Sequence, residues 1–228
     1  MSDLAKTDTL FFDRAGLDQS RVEHIVDDAL ANADDGELYL EYCQSESIAF
    51  DDGRIRNASF DTMQGFGLRA VADEATGYAH SAELSETALK RASDAVCAVQ
   101  SGHTGTRAGE PASTNQSLYS DDNPLAEMTF ESKVALLSEI DAYARASDNR
   151  VKQVTASISG EWQAVQIIRP GGARMGDIRP LVRLNVSIVV GEGDRMESGS
   201  HGVGARTSYD AFVDPAAWRG QTDEALRQ

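Results

Sequence analysis

Chemistry in this 228-residue chain would have to come from four histidines, two cysteines and a surplus of carboxylates. His24, His80, His103 and His201 fall on an expected helix, strand, loop and glycine-rich segment, with no i, i+4 pair and no cysteine nearby, so no zinc site is spelled out. Ser200 and His201 are sequence neighbours, which is not how a nucleophile meets its base, and no Gly-x-Ser-x-Gly elbow exists. The acidic pairs Asp27-Asp28, Asp51-Asp52 and Asp121-Asp122 stand at turn or exposed helix positions, where solvated charge is ordinary. Gly65-Phe66-Gly67 opens a strand instead of leading into a helix, which excludes a dinucleotide fingerprint. No catalytic and no metal-ligating residue is assigned. The stretch from Glu197 to Arg206, ESGSHGVGAR, is the remaining candidate. Backbone so free of side chains lets another backbone come close, so Gly202 and Gly204 are candidate peptide-facing positions and Arg206 is placed to meet a carboxylate. A glycine-rich hairpin return is the plainer alternative.

The charge balance narrows the partners. Lys and Arg number 21 against 37 Asp and Glu, a formal net charge of -16, so the surface field repels phosphate backbones and anionic membranes. Nucleic acid and membrane are not expected partners. Cys43 and Cys97 are far apart and read as buried thiols. Near the N-terminus only Leu10 to Phe12 is apolar before Asp13 interrupts, which is neither a signal peptide nor a membrane span, and a cytoplasmic protein is expected.

The elements that would position the candidates follow from periodicity. Ser20 and Glu23 have capping-box spacing, and Val22, Ile25, Val26, Ala29, Leu30 and Ala33 share a face, predicting a helix over 21–33. Short strands follow from Leu38 to Glu83. Asp52-Gly53 is a hairpin turn, Phe66, Leu68, Ala70 and Ala72 line one strand face, and Thr76-Gly77 turns the chain again, for a meander of about four strands. Ser85 caps a helix with Ala88, Ala92, Ala95, Val96 and Val99 inward. A third helix is predicted over 129–147, with Phe130, Val134, Leu137, Ile140 and Ala144 inward and an exposed Asp141–Arg145 pair. Then come strands at 154–158 and 162–168, a Pro170-Gly171-Gly172 turn, and the longest strand, in which Val182, Leu184, Val186, Ile188 and Val190 oppose Arg183, Asn185 and Ser187. Asp214-Pro215 begins a last helix, and Thr222 looks like another start.

The fold class is α+β: antiparallel sheets covered by helices, either as two helix-plus-meander units or as one continuous sheet. The expected organisation is a first unit over 1–100, a long connection over 101–128, a second unit over 129–213, and over 214–228 the start of a truncated C-terminal region.

Asp51-Asp52-Gly53, Asn57 to Phe60, Gln64 to Ala70 and Thr76 to Ala79, taken in order, resemble the N-terminal domain of the TldD/PmbA metalloprotease family. Val154 to Gly160, Asp177 to Leu184 and Ser198 to Arg206 resemble its TldD-type subunit, so the likeness covers about residues 10–220. The resemblance implies a zinc peptidase acting on unfolded peptides, described also as a modulator of DNA gyrase, and working as a heterodimer with a PmbA/TldE-type subunit. It also implies an HExxxH zinc motif in a C-terminal domain. This sequence contains no HExxxH, so zinc ligands and catalytic glutamate have no positions here, and the chain alone is expected to be inactive. The alternative from another class is a free-standing module that binds a peptide or partner strand without catalysis.

Overall fold

The computed structural model describes residues 2–100 and 119–228. Its strands form one six-stranded sheet of order β3-β2-β1-β4-β5-β6, where β1 is Asp35–Asp51, β2 Arg54–Ala72, β3 Ala75–Ser81, β4 Val151–Ile168, β5 Arg174–Glu192 and β6 Arg195–Ala205. Of the two arrangements open to the sequence, the continuous antiparallel sheet is therefore the one adopted. The helices are α1 (Asp3–Asp8), α2 (Gln19–Ala29), α3 (Glu86–Cys97), α4 (Phe130–Ser147), α5 (Asp210–Val213) and α6 (Pro215–Arg227). Packing divides the chain into two compact units that interleave in sequence: residues 1–43, 62–117 and 163–178, and residues 44–61, 118–162 and 179–228. The expected connection over 101–128 lies outside the described residues as far as 118, as does His103. Its last part holds a single 3-10 turn, Pro124–Ala126.

In the first unit α2 starts two residues earlier than its pattern predicts. Asp18, not Ser20, is the cap: its carboxylate accepts from the Arg21 N–H at 3.0 Å, and the Ser20 hydroxyl donates to the same oxygen. Val22, Ile25, Val26 and Ala29 are buried as expected, and Leu30 and Ala33 stay buried after the helix has ended. Residues 3–14, unassigned from sequence, form α1 and a π-helical turn that buries Leu10, Phe11 and Phe12. Ser85 caps α3, which packs on α2 and β3 through Ala88, Leu89, Ala92 and Val96, while Ala95 and Cys97 are exposed. Cys97 thus departs from the expected buried thiol. The expected stripe holds for Ala88, Ala92 and Val96 but not for Ala95, and residue 97 falls on the solvent side of the last turn.

The meander has three strands, not four. No turn forms between Phe60 and Gly65, where Asp61 is followed by Thr62, Met63 and Gln64 in extended backbone, so β2 runs unbroken for 19 residues. The next turn lies at Asp73-Glu74, with Asp73 at φ 55°, whereas Gly77 sits inside β3 opposite Ala70. Arg69 joins Asp35 and Glu37 of β1, and Arg169 reaches the same two carboxylates. Partial burial works against the ionised Asp35 carboxyl, but the hydrogen bond and charge of Arg169 prevail and lower its pKa.

The second unit holds one hydrophobic core between its part of the sheet and α4 to α6. Ile48, Phe50, Val154, Ile158, Val182, Leu184, Val186 and Ile188 project from the strands, and Leu136, Leu137, Ile140, Phe212 and Trp218 come from the helices. The period-two burial of Val154 to Ile158 and of Val182 to Ile188 is the one read from sequence, but the strands expected at 154–158 and 162–168 are a single strand, β4, in which Ala164, Val165 and Gln166 are all buried. The Asp52-Gly53 turn has positive φ at both residues, 48° and 76°. Asp214 caps α6, which continues through Thr222 as one helix and packs on α4 and β6, with Trp218 edge-on to Tyr143 at 5.6 Å. On α4 the buried face differs from the prediction: Phe130 is 47% exposed, whereas Lys133 and Asp141 are buried. The Asp141–Arg145 pair exists at 3.1 Å, but its carboxylate is sheltered, not solvated. Among the described residues no helix is long and apolar enough to cross a membrane.

Candidate functional site

The second unit carries a groove of about 580 Å³ that crosses five adjacent strands. Ser59 of β2, Ser45 and Ser47 of β1, Ser159 and Glu161 of β4, Leu181 and Arg183 of β5, and Gly202 and Gly204 of β6 line it. On β5 the buried positions are Val182, Leu184, Val186 and Ile188, so Leu181, Arg183 and Asn185 occupy the opposite face of the strand. Register then decides what stands beside them. Arg183 is directly opposite Gly204 and Asn185 opposite Gly202, so both glycines share that open face.

Glycine at 202 is a steric requirement of this arrangement. A Cβ there would overlap the Asn185 Oδ1 atom and stand 3.6 Å from an Arg183 Nη. With the space clear, Arg183 Nε donates to Asn185 Oδ1 at 2.8 Å, and Asn185 Nδ2 donates to Ser157 Oγ at 3.4 Å. The guanidinium is held by its Nε while the rest of it stays at the exposed surface of the groove. Arg206, the third residue singled out in the sequence, does not line the groove. Its Cζ lies 5.5 Å from the ring centroid of Tyr119. The glycine-rich stretch is a regular edge strand, and the charge that accompanies its glycines in the groove is Arg183.

Glu46 and Gly160 also line the groove, and a buried polar cluster is built on them. The Lys133 ammonium pairs with Glu46 Oε1, and the Tyr209 hydroxyl donates to the same oxygen at 2.8 Å. Lys133 Nζ lies 5.0 Å from the Tyr209 ring centroid. Lys133 is 1% exposed and Tyr209 wholly buried. Burial, and then the hydrogen bond to the Glu46 carboxylate, push the Tyr209 hydroxyl well above the ordinary phenol range, so it is a fixed donor. A Cβ on Gly160 would collide with that hydroxyl and stand 2.7 Å from Leu125 Cδ2. Among the described residues no group of three or more His, Cys, Asp or Glu side chains is placed to hold a metal ion.

None of Glu46, Lys133, Tyr209 or Arg183 was singled out in the sequence. One signal was available: Lys133 falls on the stripe of Leu137, Ile140 and Ala144 at helical spacing, so a lysine stands where an apolar residue belongs. Glu46 and Tyr209 had no such mark, being 163 residues apart.

Comparison with known proteins places the chain. The family model described as PmbA/TldA metallopeptidase domain 1 matches residues 36–99, and that described as PmbA/TldA metallopeptidase central domain matches residues 123–228. The chain belongs to the PmbA/TldD metallopeptidase family. It is 37% identical over 187 residues to a metalloprotease TldD homolog of Haemophilus influenzae, covering 80% of this chain and 39% of that protein. A TldD homolog of Buchnera aphidicola from Schizaphis graminum is 32% identical over 183 residues, 80% of this chain and 38% of the relative. The chain thus spans about two fifths of the length of these family members. Two solved structures share the fold. A proposed modulator of DNA gyrase from Bacteroides thetaiotaomicron superposes with a TM-score of 0.67 at 17% identity, over 92% of this chain and 48% of that one. TldE from Thermococcus kodakarensis gives 0.65 at 16% identity, over 91% and 46%.

Proposed function

We propose that this chain is the part of a TldD-like zinc metallopeptidase that shapes the substrate cleft and the subunit interface, that the enzyme acts on unfolded peptides, and that the chain alone is inactive. The observation that carries the reading is the ordered match of the family's first and central domains, with TldD homologs as the relatives at 37% and 32% identity. The groove supports it. Sheet backbone is engaged in its own ladder, so a ligand crossing the strands meets side chains, and Ser45, Ser47, Ser59 and Ser159 can each donate to and accept from any peptide backbone. Such a surface admits an extended chain with little regard to its sequence.

Zinc belongs, in this reading, to the part of the relatives' length that the chain does not span, since neither an HExxxH motif nor a metal-binding cluster is available among the described residues. A PmbA/TldE-like subunit is the proposed partner, supported by the shared fold with TldE.

The test is a peptide-cleavage assay on the chain with and without added zinc, run beside calorimetric binding of unfolded peptides. Binding without hydrolysis is expected. Hydrolysis together with stoichiometric zinc uptake would overturn the assignment of inactivity, and absence of binding would overturn the cleft. The intact mass of the protein in its own cells separates this reading from a free-standing binding module: a mass well above that of the 228-residue chain supports the peptidase.

A further inference from the structure

Three charged residues line the groove, Arg183, Glu46 and Glu161, but Glu46 shares the strand parity of the core residues Ile48 and Phe50 and turns its carboxylate to that side. Glu46 is already engaged by Lys133 and Tyr209, so its charge is met from within the unit. Arg183 is engaged differently. Among the described residues its hydrogen bond runs from Nε to Asn185, a neutral acceptor that orients the guanidinium without neutralising it. The ladder to β6 puts Gly204 beside Arg183 and Gly202 beside Asn185, so no side chain of that strand covers the guanidinium. A fixed cation, set by a neutral positioning residue and cleared on one side by glycines, is an anion subsite. The remaining lining of hydroxyls and an exposed Leu181, 40% accessible, suits a peptide better than a bare ion.

The geometry points to a carboxylate subsite at Arg183: an extended peptide crosses the strands with a carboxylate on this guanidinium and its backbone running over Ser159, Ser45 and Ser59 toward β2. The inference rests on the peptide-cleft reading above and adds to it an end and a direction. Three strand spacings separate β5 from β2, about 14 Å, which an extended peptide covers with about four residues. Glu161 faces the same groove and repels a second anionic group, so one carboxylate is recognised and an acidic peptide is not preferred. Asn185 acts as a positioning residue through its contacts with Arg183 and Ser157.

The carboxylate can be a peptide's C-terminus or an acidic side chain, and the experiment separates the two. Three hexapeptides of alanine, serine and leucine are titrated into the 228-residue chain by calorimetry: a free acid, its C-terminal amide, and an amide carrying one glutamate at the last position. The free acid is expected to bind about 10-fold or more tighter than the amide, the loss typical of a charge-assisted hydrogen-bonded contact. Arg183→Gln should bring the acid down to the amide's affinity and leave the amide unchanged, and Arg183→Lys should recover part of the difference. Tight binding of the glutamate amide assigns the subsite to side-chain carboxylates, and weak binding assigns it to the C-terminus. Equal binding of acid and amide, or equal weakening of both by Arg183→Gln at an unchanged melting temperature, overturns the subsite and leaves the cleft standing. No binding of any of the three overturns the cleft together with the subsite.

Discussion

Removing the ammonium from the buried cluster gives the sharpest stability test. In Lys133→Met the side chain keeps its length and helix propensity, so the change isolates the charge. Lys133 is 2% exposed along its side chain and Glu46 12%, which leaves little water to replace the lost partner. Breaking a buried ion pair from one side costs about 3–5 kcal/mol, because the surviving charge is stranded. The Tyr209 hydroxyl still donates to Glu46 Oε1, and a hydrogen bond to a charged group offsets about 1.5–3 kcal/mol of that cost, so about 1–3 kcal/mol is expected. Urea unfolding followed by circular dichroism reads it. With a slope of ~2–3 kcal/mol/M the midpoint falls by about 0.5–1 M. The decisive variant is the double one, Lys133→Met with Glu46→Gln, in which no charge is stranded and most of the stability should return. If Lys133→Met costs less than about 0.5 kcal/mol, or if the double variant is as unstable as the sum of the singles, Lys133 and Glu46 do not act as a buried pair.

Other consequences can be measured alongside. Gly160→Ala drives a methyl group into the Tyr209 hydroxyl and should destabilise by about 1–3 kcal/mol, with Tyr209→Phe in the same chain recovering part of the loss in a thermal melt. Gly53→Ala, at φ 76°, should cost about 1 kcal/mol by strain in the hairpin turn, read from the same melt. Asp148 accepts hydrogen bonds from the Arg150 side chain and backbone, which hold its carboxyl down at about 2 against an ordinary 3.8. A depressed carboxylate contributes its stabilisation above the unfolded value and loses it as pH falls from about 3.8 toward 2. Carbon-13 titration of that carboxyl should therefore show a midpoint near 2 that returns toward 3.8 in Arg150→Ala, and an unmoved midpoint would refute the pairing.

What the sequence made legible was local. Alternation along Val182 to Ile188 fixed which side chains enter the core, because a strand's two faces follow from parity alone. Asp52-Gly53 marked its own turn, and Ser85, Thr129 and Asp214 marked their own helix starts. Where two local signals competed, the structure decided by tertiary pairing: Thr76-Gly77 is turn-like, but seven consecutive pairs with β2 hold Gly77 inside β3 and move the turn to Asp73-Glu74. The site belongs to the non-local part. Lys133 meets a carboxylate 87 residues away and Tyr209 the same one 163 residues away, and nothing in either segment's periodicity announces the other.

The glycine-rich strand shows how a correct composition signal can point one step away from the chemistry. Few side chains from Ser198 to Arg206 do mean close approach, and Gly202 and Gly204 do line the groove. Yet the nearest approach at Gly202 is to Asn185 of the neighbouring strand, whose amide occupies the space that a Cβ would need. Gly202 therefore serves the Asn185 amide that orients the cation on β5 before it serves any ligand. Arg206 shares the run of sequence but engages Tyr119 instead, whereas Arg183, about twenty positions earlier, is brought beside the glycines by one register. A shift of that register by one residue would turn Arg183 into the core and Val182 into the groove, so the burial of Val182, Leu184, Val186 and Ile188 is also what keeps the guanidinium on the open face. Core packing and charge placement are here the same constraint. Substituting Val182 or Val186 with a polar residue should accordingly weaken the binding of carboxylate-terminated peptides as well as stability, whereas Arg183→Gln should change binding alone.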